Sequence, residues 1–355
     1  MNAIAEQSAR PLTIVHVVFS SRIAGGERHC IDLAQAQAQL GHEVHLVAPA
    51  GSAIEGAAGP DLRFHGMRLP LLRGLLLRRL VTRLRAQVCH GHLGPACKAV
   101  SAVAGAARIG TLHVGYKAHQ HAALDGLICV NSTQKGLIKD YRGLSRVIYN
   151  WAPSKREGAG GDLRAELGIG PERLLVGSVG RLHKSKGMDL LVEAFKAHAP
   201  ADADLAILGE GDDMPMLQRL AAGDSRIRLL GFREDVDAAL RSFDLFVSPS
   251  REEAFPLAIL EAMRAGLPVL STATQGPREM LANQPGRLVP IGDASALGQA
   301  IAETLAPLRA QPRAQRPRIV YDLKAYDRDH AVAEVVSFYR EVMAARAIPA
   351  GASHA

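Results

Sequence analysis

Short apolar runs alternate with longer amphipathic stretches along the first half of the chain. Strands are predicted at 12–18, 43–48, 88–92, 108–113, 126–130 and 146–149. The Gly25-Gly26 pair follows the first strand and opens a helix that runs to about Leu40. Strands that alternate with helices in this way favour a parallel sheet covered by helices.

The same alternation starts again after segment 152–170, whose proline, glycine and charged residues predict a linker. Strands are predicted at 174–179, 204–208, 226–230, 245–247 and 268–271, with helices at 188–197, 214–221, 236–241 and 256–265. We therefore expect an α/β protein with two doubly wound, Rossmann-like domains, at 1–155 and 165–320, facing each other across a cleft. In such sheets ligands bind at the carboxyl ends of the strands.

Two segments complete the second half of the chain. Segment 307–318 carries four arginines and three prolines, which predicts an exposed connection. Segment 325–346 places apolar residues at helical spacing, among them Val332, Val335 and Tyr339, and predicts a helix docked on the rest of the protein.

The composition is that of an ordinary globular protein. Of 355 residues, 48% are apolar and 22% are charged, and no apolar run reaches the roughly 18–20 residues that a membrane span needs. The four cysteines show neither CxxC nor zinc-ligand spacing, and segment 1–11 lacks the apolar core of a secretory signal. We therefore expect a protein of the reduced cytoplasm, and we disfavour disorder, a coiled coil, collagen and an integral membrane protein.

The net charge of +7 is concentrated in the first 150 residues, which hold 17 basic and 8 acidic side chains. Segment 62–124 has no acidic residue, and seven arginines lie between Arg63 and Arg85. A one-sided basic field attracts anions such as phosphates or acidic lipids. Nucleic acid is not expected as a partner, because aromatic residues make up only 4% of the chain and no nucleic-acid-binding signature is present.

From about Leu71 the basic segment predicts a cationic, partly amphipathic helix. Two interpretations remain open for it. One is peripheral contact with the anionic inner face of the cytoplasmic membrane. The other is a crossover helix whose arginine face is simply solvated.

The stretch 248–270 carries the most informative pattern. Pro256 suits the first position of a helix, and Gly266 suits its end. The helix therefore begins at the carboxyl end of a strand, with free N–H groups near Leu257 that favour an anion. Glu253 lies before this helix and Glu261 within it. Two carboxylates that flank a phosphate site suit a ligand with both hydroxyl and phosphate groups.

A second cluster, at 179–187, follows a strand and precedes a helix. Its Arg181 and Lys186 can neutralise a diphosphate, the arginine by bidentate contact and the lysine as a point charge. Alone this pattern is weak, because basic residues on loops are commonly just solvated. Gly209-Glu210-Gly211 is equally weak alone and is compatible with a tight exit from a strand.

Together these motifs resemble retaining glycosyltransferases of family 4, the glycogen-synthase-like group with the GT-B fold. The matching positions are Gly25-Gly26-Glu27-Arg28, Gly180-Arg181, Lys186-Gly187, Gly209-Glu210-Gly211, Gly231-Phe232, Ser248-Pro249-Ser250 and Glu253 with Glu261. The resemblance covers nearly the whole chain and is strongest from 176 to 290. It implies that the last helix, 325–346, packs back on the N-terminal domain.

The resemblance also implies roles for individual residues. Glu261 would bind the ribose hydroxyls of the donor, and Arg181 and Lys186 would hold its diphosphate. Further donor-binding positions are Gly209, then Glu253, Phe255, Pro256 and Leu257 near the sugar and phosphate, and Phe232 and Arg233, through their backbone, at the base. In the first domain Gly25 and Gly26 would approach the phosphates, and His113 would contact the donor sugar. Arg181, Lys186, Glu253 and His113 are the candidate catalytic residues.

The implied reaction is transfer of a sugar from a nucleotide-sugar to an acceptor hydroxyl with retention of configuration. A UDP-sugar is the commonest donor of the family. No cofactor and no metal ion are expected, because arginine and lysine would stabilise the charge on the diphosphate. The basic N-terminal domain would bind the acceptor, for which a lipopolysaccharide core, another lipid-linked glycan, a phospholipid or a small soluble molecule remain open. Rival functions are a GT-B nucleotide-sugar epimerase and a non-catalytic sugar-nucleotide-binding scaffold.

Three features depart from the family or stand outside its motifs. Ala254 follows Glu253 where the family commonly has glycine, so the local loop geometry is in question. Asn150-Trp151 stands at the domain junction where Asn-Gly is common. His90-Gly91-His92 has metal-like spacing but no nearby carboxylate in sequence, and we interpret it as strand-end packing or part of the acceptor cleft.

Overall fold

The computed structural model describes residues 10–152 and 161–347. These residues form two compact units. The N-terminal unit takes the described residues through Asn150 together with those from Tyr326 onward, and the C-terminal unit runs from Trp151 to Ala325.

The N-terminal unit is built on a seven-stranded sheet in the order β3-β2-β1-β4-β5-β6-β7. Its strands are β1 Thr13–Val18, β2 Glu43–Pro49, β3 Arg63–Met67, β4 Val88–His92, β5 Ala107–Leu112, β6 Gly126–Cys129 and β7 Leu144–Val147. Every neighbouring pair is parallel. The sheet therefore needs helices on both faces, and its central strands are apolar almost throughout.

The helices of this unit are α1 Gly25–Gln39, α2 Ala53–Ala57, α3 Arg73–Leu84, α4 Gly94–Val100, α5 Ala118–His121, α6 Ser132–Leu137 and the C-terminal helix Arg328–Ala347, with a 3-10 turn at Pro70–Leu72. A further 3-10 turn, Lys324–Tyr326, lies at the boundary where the chain returns from the C-terminal unit. Strand alternation separates the two sheet faces. Val15 and Val17 pack in a core with α3 and α4, whereas Val18 and Leu46 pack in a core with α1. The C-terminal helix contacts α1 and β5.

The C-terminal unit is built on a six-stranded sheet in the order β10-β9-β8-β11-β12-β13, in which every neighbouring pair is parallel. Its strands are β8 Leu174–Val179, β9 Ala203–Leu208, β10 Ile227–Leu229, β11 Leu245–Ser248, β12 Val269–Thr272 and β13 Arg287–Val289. Its helices are α7 Leu163–Leu167, α8 Met188–His198, α9 Met214–Ala221, α10 Val236–Ser242, α11 Leu257–Arg264, α12 Gln275–Met280 and α13 Ala294–Arg309, with 3-10 turns at Lys184–Lys186 and Arg313–Gln315. The prediction of two Rossmann-like α/β units is confirmed.

Three details of the predicted organisation are wrong. The strands β3 and β13 were not predicted, because both lie at a sheet edge and carry no continuous apolar run. Segment 152–170 is not wholly a linker, since α7 lies within it; residues 153–160 of that segment lie outside the described residues.

The third error concerns segment 307–318, which is not simply an exposed connection. The helix α13 extends to Arg309. The Arg316 side chain is 7% exposed and lies 2.8 Å from the Asp244 carboxylate, which also pairs with the buried Arg164. The arginine-rich composition therefore serves partly to neutralise a buried carboxylate.

Within the described residues, no helix has both the length and the apolar character that crossing a bilayer would require.

Candidate functional site

The donor-site residues predicted in the second domain lie at one edge of the C-terminal sheet. Arg181 follows β8, Gly209 follows β9 and Glu253 lies in the loop after β11. These three strands are adjacent and parallel, so their carboxyl ends meet at the same edge. The structure thus brings together residues that are up to 72 positions apart in the sequence.

Lys186 and Glu253 form an ion pair at this edge, between the lysine Nζ and the glutamate Oε2. Both side chains are mostly buried, with exposed fractions of 28% and 13%. The Arg181 side chain is exposed, and in the described part of the chain its guanidinium has no carboxylate partner. One cation is therefore held in position while the other is available to an anion.

Hydrogen bonds and an ion pair connect the loop between β8 and α8 to the loop after β11. The backbone N–H groups of Arg251 and Glu252 donate to the Ser185 carbonyl over 2.8 and 3.1 Å. Two guanidinium nitrogens of Arg251 each lie 2.7 Å from a carboxylate oxygen of Asp189. Sequence reasoning missed Arg251 as a residue that orders the site, although it lies directly after the Ser248-Pro249-Ser250 motif.

Glycines allow this close approach of loops. Gly187 has φ +64°, and a Cβ there would lie 2.1 Å from the Pro249 carbonyl oxygen. Gly209 has φ +140°, and a Cβ there would lie 1.9 Å from the Gly180 carbonyl oxygen. Gly209 therefore makes a tight strand exit, whatever its contact with a donor.

The helix α11 begins at Leu257, one residue later than predicted, and Pro256 is its N-cap residue with extended backbone. The Pro256 side chain does not cap this helix start, which leaves it suited to an anion. Phe255 is buried, and Glu261 is half-buried within the helix. Ala254 does not adopt a positive φ, so the alanine in place of glycine fits this loop.

Phe232 and Arg233 differ in what their side chains can do. Phe232 follows Gly231 and is 61% exposed. The Arg233 guanidinium lies 2.6–2.9 Å from the carboxylates of Glu166 and Asp235. These hydrogen bonds raise the pKa of Arg233. The Arg233 side chain therefore serves in structural ion pairs. This agrees with the expectation that only its backbone would contact the base of the nucleotide.

In the N-terminal unit the structure brings Gly26 and His113 together. His113 follows β5, and Gly25 and Gly26 form the first turn of α1. A Cβ at Gly26 would lie 3.3 Å from His113 Cγ and 3.2 Å from Leu93 Cδ2. The pair of glycines therefore lets the start of α1 pack directly against the imidazole.

His90 and His92 are fully buried in the core, which agrees with strand-end packing and not with a place in an acceptor cleft, the two interpretations given above. His90 Nδ1 lies 2.6 Å from the Tyr339 hydroxyl of the C-terminal helix, and its Nε2 lies 2.8 Å from Thr111 Oγ1. His92 Nδ1 lies 3.1 Å from His113 Nε2. The histidines of β4 thus connect His113 to the interior of the unit.

The basic segment 63–85 has a buried and an exposed part. Its helix α3 begins at Arg73, and Leu77, Leu80 and Val81 pack into the core as in an ordinary crossover helix. An exposed patch, which we call the leucine–arginine patch, comprises Arg68, Leu69, Leu71, Leu72, Leu75, Arg78 and Arg79. Leu71 is 100% exposed. The amphipathic character of the segment is therefore concentrated just before α3 and in its first two turns.

Known protein families match both units. A family model described as "Glycosyltransferase Family 4" matches residues 23–156, and one described as "Glycosyl transferases group 1" matches residues 173–306. The chain is 28% identical over 310 residues to a lipopolysaccharide core biosynthesis glycosyltransferase, LpsE, of Rhizobium meliloti, which covers 83% of this chain and 89% of the relative. It is 26% identical over 371 residues to a phosphatidyl-myo-inositol mannosyltransferase of Mycolicibacterium smegmatis, covering 92% and 93%.

A solved structure shares the fold of the chain. The crystal structure of HepE from Anabaena in complex with UDP-glucose matches with a TM-score of 0.74 and 19% identity, over 93% of this chain and 99% of that chain. The two family models together span about three quarters of the sequence, one for each unit. The chain is a glycosyltransferase of the GT-B fold that resembles family 4.

Proposed function

We propose that this glycosyltransferase moves a sugar from a UDP-sugar to an acceptor hydroxyl, with retention of anomeric configuration and without a metal ion. The observation that carries the proposal is the placement of Arg181, Lys186 and Glu253 at one sheet edge, beside the uncapped start of α11. A nucleotide-sugar offers the matching chemistry, since it combines a diphosphate with sugar and ribose hydroxyls. The relative solved with UDP-glucose supports a uridine nucleotide.

Each residue has a separate task in this reaction. When the bond between the sugar and the diphosphate breaks, negative charge accumulates on the departing phosphate oxygen. Arg181 supplies planar donors for two phosphate oxygens, and Lys186 supplies a point charge. Glu253 holds the Lys186 ammonium and has a second carboxylate oxygen for a sugar hydroxyl. These cations perform the electrostatic stabilisation that a metal ion performs in other transferases.

The acceptor is proposed to be a glycan or lipid-linked molecule at the inner face of the cytoplasmic membrane. Relatives named for lipopolysaccharide core biosynthesis and for phosphatidyl-myo-inositol support this class. The leucine–arginine patch adds a physical reason, because exposed leucines beside arginines favour contact with anionic lipid.

The proposal is tested by incubating the purified chain with labelled UDP-sugars and GDP-mannose, bacterial lipopolysaccharide or membrane lipids as acceptors, and excess EDTA. We expect label to enter the acceptor from one donor, and NMR of the product to show the donor's anomeric configuration. Arg181→Ala should slow transfer about 100-fold.

Conversion of the nucleotide-sugar without acceptor would instead indicate an epimerase. Binding without turnover would indicate a scaffold, and a requirement for a divalent cation would contradict the metal-free reaction.

A further inference from the structure

The sheet face beneath α1 carries several buried imidazoles. His16 lies on β1, His90 and His92 lie on β4, and all three are 0% exposed. His16 and His90 are lateral partners in the parallel register of the two strands. Buried polar rings are costly unless their nitrogens are hydrogen-bonded. Hydrogen bonds to the ring nitrogens are therefore needed to offset the cost of burying these histidines.

Three rings and one amide form an unbroken chain, which we call the histidine relay: Gln37, His16, His92 and His113. Gln37 Oε1 lies 2.8 Å from His16 Nε2. His16 Nδ1 lies 3.0 Å from His92 Nε2, and His92 Nδ1 lies 3.1 Å from His113 Nε2. The relay thus runs from the buried inner face of α1 to the half-buried His113 at the exit of β5.

The order of atoms along the relay determines where each proton lies. A neutral imidazole has one N–H donor and one acceptor nitrogen. The Gln37 oxygen only accepts, so His16 donates from Nε2 and accepts at Nδ1. His92 must then donate from Nε2 to His16, and His113 must donate from Nε2 to His92. All three rings are therefore Nε2–H tautomers, and His113 keeps Nδ1 as an acceptor.

Burial keeps the relay uncharged. Desolvation lowers the pKa of His16 to about 4 and lowers the pKa of His92 and His113 well below the ordinary value. Near neutral pH each ring therefore holds one proton, and the donor and acceptor roles along the chain are mutually dependent.

We propose that the histidine relay fixes His113 in its Nε2–H tautomer, so that His113 Nδ1 is a permanent hydrogen-bond acceptor for a hydroxyl of a sugar bound by the N-terminal unit. The inference rests on the proposed function for the identity of the ligand. Gln37 and His16 are positioning residues, since they act through His113. A ring locked as an acceptor favours a sugar with a hydroxyl at that position over the corresponding deoxy sugar, which has no proton to donate.

A metal site is the rival explanation of the same cluster. Nitrogens of His16, His90 and His92 lie within 4.8 Å of one another. Both His90 nitrogens, however, already lie within hydrogen-bond distance of the Tyr339 and Thr111 hydroxyls. Three neutral imidazoles would also leave both charges of a divalent cation uncompensated in a core. The hydrogen-bond geometry therefore favours the relay.

The relay is tested by long-range 1H–15N NMR of the chain labelled with 15N-histidine, which identifies the protonated nitrogen of each ring. We expect Nε2–H for His16, His92 and His113. His16→Phe keeps a ring but removes both nitrogens, and should convert His113 to a mixture of tautomers. It should also lower kcat/KM for sugar transfer about tenfold. If this variant does not fold, Gln37→Leu keeps all three rings, removes the terminal acceptor of the relay and should give the same result.

His65→Phe is the matched control, because it cuts a similar hydrogen bond, 2.9 Å from His45 Nδ1 to His65 Nε2, outside the relay. It should leave the His113 tautomer and the kinetics of sugar transfer unchanged. The proposal is overturned if His113 is an Nδ1–H tautomer, if both relay variants leave its tautomer unchanged, or if the purified protein holds stoichiometric metal. If no nucleotide-sugar supports transfer by the unaltered chain, the proposed function fails, while the NMR spectra still decide whether the relay exists.

Discussion

The Lys186 ammonium is paired with the Glu253 carboxylate, and this pair joins the exit loops of β8 and β11. The two residues are 67 positions apart in the sequence. Gly187 brings their loops together, because only a residue without a Cβ fits against the Pro249 carbonyl. The backbone therefore sets the position of the lysine before any ligand binds.

Lys186→Ala should lower kcat about 100-fold to 1000-fold, because it removes a positioned charge from the departing diphosphate. Lys184→Ala is the matched control, since Lys184 lies in the same 3-10 turn with an exposed side chain. Steady-state transfer from the preferred nucleotide-sugar measures both. Equal rates for the two variants would show that the charge of Lys186 is not used in the reaction.

Gly187→Ala should destabilise the C-terminal unit by about 3 kcal/mol or more, because a clash is added to an unfavourable φ. Gly223→Ala isolates the clash: Gly223 also has a positive φ, +82°, but a Cβ there would meet nothing within 4 Å. That variant should cost only about 1 kcal/mol. Urea unfolding followed by circular dichroism gives the comparison, and equal costs would mean that the approach to Pro249 is not tight.

The sequence allowed the sheet cores to be predicted, because each strand is a short contiguous pattern. It also singled out Arg181, Lys186 and Glu253, which the structure places at one sheet edge. Glu253 and Lys186 were both identified in this way, but their ion pair was not, since it depends on the backbone at Gly187. The strands β3 and β13 were not predicted, because strands at a sheet edge need no continuous apolar run. The spacing of His90 and His92 was visible in the sequence. Their contact with His16 was not predicted, because it depends on the lateral register of β1 and β4, which one sequence does not determine.

The stability of the protein should fall as the pH is lowered from 6.5 to 5. Burial lowers the folded-state pKa of His16 to about 4 and that of His29 to about 3, below the unfolded value of 6.5. In this range the unfolded chain binds protons that the folded core excludes, so the free energy of unfolding decreases as the pH falls. Each such histidine contributes a slope of up to about 1.4 kcal/mol per pH unit.

Urea unfolding at fixed ionic strength between pH 7.5 and 5 measures this slope, which should flatten above pH 7. His16→Phe removes one of the titrating groups and should reduce the slope accordingly. A free energy of unfolding that is constant over the whole range would show that these histidines are protonated in the folded state.

Leu71→Ser together with Leu72→Ser should weaken binding to vesicles that contain anionic phospholipid, because the leucine–arginine patch loses the fully exposed Leu71 and an exposed neighbouring leucine. Leu40→Ser is the control, since Leu40 is exposed at the end of α1 but lies outside the patch. Vesicle co-sedimentation at low and high salt measures the binding. Unchanged binding of the double variant, or binding equal on neutral vesicles, would contradict a role for the patch.

Calorimetric titration of the purified chain with UDP-sugars in EDTA shows whether Arg181 and Lys186 build a nucleotide-sugar site. We expect saturable binding of one UDP-sugar, weakened about tenfold or more by Arg181→Ala and unchanged by Lys184→Ala. Binding of the same affinity in Arg181→Ala and Lys186→Ala, or no binding of any nucleotide-sugar by a folded sample, would contradict it.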